Sequence, residues 1–166
     1  NLSLAKKWQF YVPDTVFLSG ELVREIYEQK SIPTEILSHF ENKLLAIRPS
    51  PVLGHFTKSE QFLHIGLDNQ SFDVLIKRVG VTNASAIYIS FLRVFALTVY
   101  NLDLENCDEL RRLLEISKSE KRVSRESVLN KISRIKQLIS LETGSVFPRS
   151  TAAVSYTHLR AHETTP

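Results

Sequence analysis

The segment from Asn83 to Tyr100 constrains this chain more than any other. It reads Asn-Ala-Ser-Ala-Ile-Tyr-Ile-Ser-Phe-Leu-Arg-Val-Phe-Ala-Leu-Thr-Val-Tyr, with Arg93 as its one charged residue. Ile87, Phe91, Val94, Phe95 and Thr98 recur at the spacing of one helix face, and Leu97 broadens it. A helix this apolar has to be covered, and such a stripe reads as core rather than as a cofactor box. Ser85, Ser90 and Arg93 interrupt the run, so it does not read as a clean membrane span of ~20 apolar residues.

The neighbours supply material to cover it. Asp68 or Asn69 can cap a helix over about 70–79, with Phe72, Leu75 and Ile76 inward and Gly80 as its stop. Asp103–Ile116 carries Leu110, Leu113 and Leu114 at helical spacing. Val128, Leu129, Ile132, Ile135, Leu138 and Ile139 mark a further helix that Gly144 ends. Toward the N-terminus, Leu2–Phe10 predicts a helix with Leu2, Ala5 and Trp8 inward, stopped at Val12-Pro13. Ser19 caps another helix through about Gln29, with Leu22, Ile26 and Tyr27 on one side. Pro33 suits the first turn of a helix through about Asn42, with Ile36, Leu37 and Phe40 inward. Val16–Leu18, Leu44–Ile47 and Phe62–Ile65 are short apolar runs that predict strands, the second of them buried. The expected fold class is therefore α+β: two or three short strands among about six helices, helical from about residue 83 onward. No internal repeat is apparent.

Composition narrows the function classes. Net charge is +3 from 21 Lys+Arg and 18 Asp+Glu, too small an excess to imply nucleic acid by itself. Lys118–Arg125 is a charged link that reads as solvated rather than as a nucleic-acid surface. Cys107 is the only cysteine, so an intrachain disulfide and a zinc site built on two or more cysteines are excluded. A cytoplasmic setting fits a chain with one thiol. The sequence holds no methionine, only five glycines, and opens at Asn1, which predicts a piece of a longer reading frame. No leader peptide is in view.

The local motifs are sparse. G-x-G-x-x-G, Walker, H-E-x-x-H and G-x-S-x-G patterns are all missing. His39, His55 and His64 stand far apart and read as structural or exposed. Arg48 is more pointed: it follows an apolar strand and enters a Pro/Gly loop, where a guanidinium can grip phosphate oxygens bidentately. A surface or salt-bridged arginine is the plain alternative.

The order of several segments supplies more. Leu44-Leu-Ala-Ile-Arg48 resembles the L-V-S-V-R-S-G-A segment of pyruvate, phosphate dikinase, in its N-terminal ATP-grasp domain. Without a gap, Phe62-Leu-His-Ile-Gly-Leu-Asp68 resembles I-L-N-L-G-L-N, and Leu75-Ile-Lys-Arg-Val-Gly80 resembles F-A-K-K-T-G. Ser90-Phe-Leu-Arg-Val-Phe95 is similar to S-Y-R-R-F-I. Glu142-Thr-Gly-Ser-Val-Phe-Pro148 is similar to E-T-G-x-x-F-P, which follows a helix in the family. Asn1-Leu2 and Val12-Pro13 fit the family's opening N-L-A-E-M-T-N-L-G-L-P-V-P-P-G-F-T. The likeness covers about residues 1–150. Phosphoenolpyruvate synthases share the arginine segment, but L-G-L and E-T-G-x-x-F-P favour the dikinase.

This resemblance implies a partial ATP-grasp lobe over 1–152, whose family converts ATP, phosphate and pyruvate to phosphoenolpyruvate, AMP and pyrophosphate. It implies Mg-ATP as ligand and a phosphohistidine domain of the parent chain as partner, with neither nucleic acid nor membrane. Arg48 corresponds to the family's phosphate-binding arginine. Arg93 corresponds to the second arginine of Y-R-R-F and is a second candidate for nucleotide binding, with a structural salt bridge as the competing role; its neighbour in the motif is replaced by Leu92. No residue here matches a catalytic position or a metal ligand of the family.

The departures point to lost chemistry. Pro49-Ser50-Pro51 stands in place of S-G-A, and two prolines remove two backbone donors beside Arg48. His55-Phe-Thr-Lys-Ser-Glu-Gln61 stands in place of the nucleotide loop M-P-G-M-M-D-T, with Thr57 where glycine would let phosphate approach the backbone. The family's G-G-K-G-A would fall before Asn1. A fragment of the ATP-binding domain, inactive by itself, is one expectation. A degenerate non-catalytic relative, serving as a scaffold or regulatory binding module, is the other.

The last residues read differently from the rest. Read back into codons, Val154–Thr164 resembles the end sequence and adapter of a transposon-based sequencing library. Residues 153–166 are therefore expected to be an adapter-derived, disordered tail. His158, His162 and Glu163, which at helical spacing would suggest a metal grip, fall within it.

Overall fold

The structure is a computed structural model describing residues 2–12, 15–29, 33–36, 44–47, 62–115 and 123–148. The chain divides into two compact units, Asn1–Ser31 and Ile32–Pro166.

The first unit holds α1 (Leu2–Lys7) and α2 (Gly20–Gln29). Helix α1 stops well before Pro13. Gln9 adopts a left-handed φ of 61°, and the Phe10 N–H returns to the Ala5 carbonyl at 3.0 Å. Trp8 was expected inward but is 65% exposed. Ser19 caps α2 as its sequence suggests, accepting from the Leu22 N–H at 3.2 Å. Ile26 is buried. Residues 16–18 are not a strand: they carry no regular secondary structure, and Phe17 is exposed. An apolar triplet alone cannot make a strand when no neighbouring backbone pairs with it.

The second unit opens its described part with a helical turn at 34–36; the rest of the helix expected there lies outside the described residues. Strands β1 (Leu45–Ile47) and β2 (Phe62–Ile65) pair antiparallel. The first of these was expected buried, but Leu44 and Ala46 are exposed and Leu45 is half-buried. Ile65 and Leu67 carry the chain into the core.

There follows α3 (Asn69–Val99), broken at Gly80, where φ 79° and ψ 162° lie outside the helical region. Asp68 begins it with a capping box: its carboxylate accepts from the Ser71 N–H at 2.8 Å, and Ser71 Oγ accepts from the Asp68 N–H at 2.8 Å. At the break, the Asn83 amide donates to the Val79 carbonyl at 2.9 Å, satisfying one carbonyl the first segment leaves open. Gly80 therefore ends one helix as its sequence position suggests, while the next resumes at once rather than at Asn83.

Beyond the break the helix is covered on most sides. Phe91 and Phe95 of the expected stripe are buried, but so are Ala84, Tyr88, Ile89, Leu92, Ala96 and Val99. By length and composition Asn69–Val99 could cross a membrane. Here β2, α4 (Asp108–Leu114) and α5 (Arg125–Thr143) pack against it, which is the setting of a core helix. Its aromatic side chains continue the packing: Phe95 meets Phe91, Tyr100 and Phe147 at ring-centroid distances of 5.7, 5.6 and 5.3 Å.

Helix α4 is shorter than expected. The Asp103 carboxylate accepts from the Glu105 N–H at 2.9 Å and from the Asn106 amide at 2.6 Å, holding residues 103–106 in a turn. Leu110 and Leu114 are its buried residues. Helix α5 matches its pattern closely. Ser124 caps it, Val128, Ile132, Ile135, Leu138 and Ile139 are buried, and Gly144 ends it in the left-handed region at φ 64°. Leu129, expected inward, is only half-buried. Two bidentate ion pairs, Arg125 with Asp73 and Arg134 with Glu109, tie α5 to α3 and α4 at its surface.

Helices and a two-stranded antiparallel sheet together make the chain α+β.

Candidate functional site

Of the two arginines singled out by sequence, only Arg93 is among the described residues. Arg48 lies outside the described residues, as do Pro49, Ser50, Pro51 and the segment 55–61. Residues 153–166, with His158, His162 and Glu163, also lie outside them. Arg93 is described: it stands on α3 with an exposed side chain, and among the described residues it forms no ion pair. The salt-bridge role considered for it is not seen among the described residues.

Two other places concentrate polar groups against apolar walls. The first joins α3, α5 and the segment after α5. Lys136 Nζ donates to the Tyr88 hydroxyl at 2.9 Å and lies 5.3 Å from the ring centroids of both Tyr88 and Phe147. Burial pushes the Lys136 ammonium below its ordinary pKa, partly offset by the Asp68 carboxylate. Burial also pushes the Tyr88 phenol well up. Phe147 is held there by its own N–H, which donates to Ser140 Oγ at 2.9 Å. This arrangement is a satisfied core lysine that locks the chain after Gly144 onto α5.

The second place is an open hollow of about 320 Å³ between β2 and α3. Leu63 and His64 line it from the strand; Ala86, Ile87, Ser90, Phe91 and Val94 line it from one face of the helix. Burial lowers the His64 pKa, so the ring is neutral near pH 7. His64 was read from sequence as structural or exposed; nothing in its sequence surroundings signals a place in a hollow, because the backbone turn that puts it there is tertiary.

Among the described residues no group of three or more His, Cys, Asp or Glu side chains is placed to hold a metal ion. No step is assigned through the Mg that the resemblance implies. Cys107 precedes α4 half-buried, its thiol pushed up by burial and by Glu142. A raised thiol is a poor nucleophile near neutral pH.

No family model matches the chain, and no curated protein matches it either.

Proposed function

We propose that this chain is part of the ATP-binding domain of a pyruvate, phosphate dikinase-like phosphotransferase, inactive by itself, with Arg48 as its phosphate-binding residue. The observation that carries this reading is the order and near-gapless spacing of the resembling segments from Leu44 to Pro148. In such a domain, a guanidinium at a strand end neutralises the oxygens of a transferring phosphoryl group. The close of α5 is compatible with the reading: Glu142-Thr-Gly144 ends a helix and Phe147 folds back onto it, where the resemblance expects E-T-G-x-x-F-P to follow a helix. Arg93, exposed and unpaired by any described residue, stays available as a second anion contact. The finer fold assignment, a partial ATP-grasp lobe, belongs to this same proposal.

A specific observation favours a second reading. Two prolines beside Arg48 and Thr57 in the adjoining loop remove backbone donors and close approach where phosphate would sit. On that reading the parent is a non-catalytic relative that serves as a scaffold or binding module. Equilibrium dialysis of the chain against Mg-ATP separates the two: saturable binding supports the first, and its absence the second. Neither reading expects the chain alone to form phosphoenolpyruvate.

A further inference from the structure

The pairing of β1 with β2 contains one irregularity. Leu45 faces Ile65 and Ala46 faces Leu63, so His64 is an extra residue with no partner on β1. Its φ is 61°, left-handed, a conformation glycine takes freely and a histidine takes at a cost. Regular strands send successive side chains to opposite faces. Here the bulge puts Leu63 and His64 on the same hollow.

The opposite wall is one helix face, with Ser90 as its only polar side chain. Among the described residues, nothing hydrogen-bonds the His64 ring nitrogens or the Ser90 hydroxyl. The hollow therefore offers an apolar slot with an imidazole that can donate and accept, and a hydroxyl. Its volume of about 320 Å³ lies at the small end of ligand pockets.

We propose that this hollow binds a small uncharged aromatic molecule carrying one hydrogen-bonding group, with His64 and Ser90 taking the polar group and Ile87, Phe91 and Val94 the ring. Among the described residues no charged side chain lines the hollow, so they offer a charged ligand no partner. The strained histidine is then explained: the backbone holds it where glycine would be easier because the imidazole is used. This proposal does not rest on the nucleotide reading: it uses neither Arg48 nor Arg93, and Arg93 is not among the described lining residues.

The test is an amide and imidazole NMR titration of the full chain with phenol, and with toluene as the same shape lacking the hydroxyl. Phenol should shift Ile87, Ser90, Phe91 and Val94 saturably, together with the His64 ring signals. His64→Gly should weaken phenol at least tenfold, change toluene less than threefold, and keep or raise the melting temperature. Ile87→Trp, which fills the slot, should abolish both. Absence of saturable shifts at the lining residues, or unchanged phenol affinity in a folded His64→Gly variant, overturns the proposal. Mg-ATP binding is measured separately, so failure of either idea leaves the other to its own result.

Discussion

Replacing Gly80 by alanine tests the architecture of α3 through the sign of its effect. At φ 79° and ψ 162° the residue sits in a region open essentially to glycine alone. A Cβ added there meets nothing within 4 Å, so the penalty is conformational and not a clash. Such a residue costs about 1–3 kcal/mol when it is not glycine. With a urea slope of about 2 kcal/mol/M, the unfolding midpoint should fall by roughly 0.5–1.5 M. A continuous helix predicts the reverse: alanine would stabilise it by about 1 kcal/mol, raising the midpoint. Urea unfolding followed by circular dichroism reads the difference directly. Gly20→Ala is the control, since Gly20 is open to a Cβ and starts α2 with an ordinary φ; there alanine should be neutral or mildly stabilising. A Gly80→Ala midpoint at or above the wild type would refute the break.

Two further perturbations probe the core. Phe95→Ala removes a fully buried ring that meets three others and should cost about 3–5 kcal/mol in the same urea assay. Lys136→Met leaves the hydroxyl of the fully buried Tyr88 without its lysine partner and should cost about 1–3 kcal/mol, which Tyr88→Phe in the same background should largely restore. The pH dependence has a defined sign. The folded Lys136 pKa lies below its ordinary 10.5, so between the two values the unfolded chain binds more protons and stability rises with pH. Because Lys136→Met is the less stable chain, its stability curve and that of the wild type should diverge as pH climbs towards 10.5.

Helix α5 was readable because its signals agree: Ser124 at the start, apolar residues at helical spacing, and Gly144 at the end. The Asp68 cap and the Gly80 break were readable for the same reason, since caps and glycines act locally. The apolar stripe of α3 was readable only in part. Periodicity finds the face that differs most from its surroundings, but this helix is packed on several sides, so Tyr88, Leu92 and Ala96 went unmarked. Val16–Leu18 misled because strands need partners that a local apolar run does not specify. The shortening of α4 turned on a single carboxylate, Asp103, whose hydrogen bonds compete with the helix. The hollow was not readable at all, since the bulge at His64 arises from pairing with β1.

The central claim is that Arg48 serves a phosphate site, and calorimetric titration of the full chain with Mg-ATP tests it most directly. Wild type and Arg48→Ala are compared after circular dichroism shows both folded. The account predicts saturable heat from the wild type and at least a tenfold loss of affinity in the variant. No binding by the wild type, or equal binding by both chains, would contradict it.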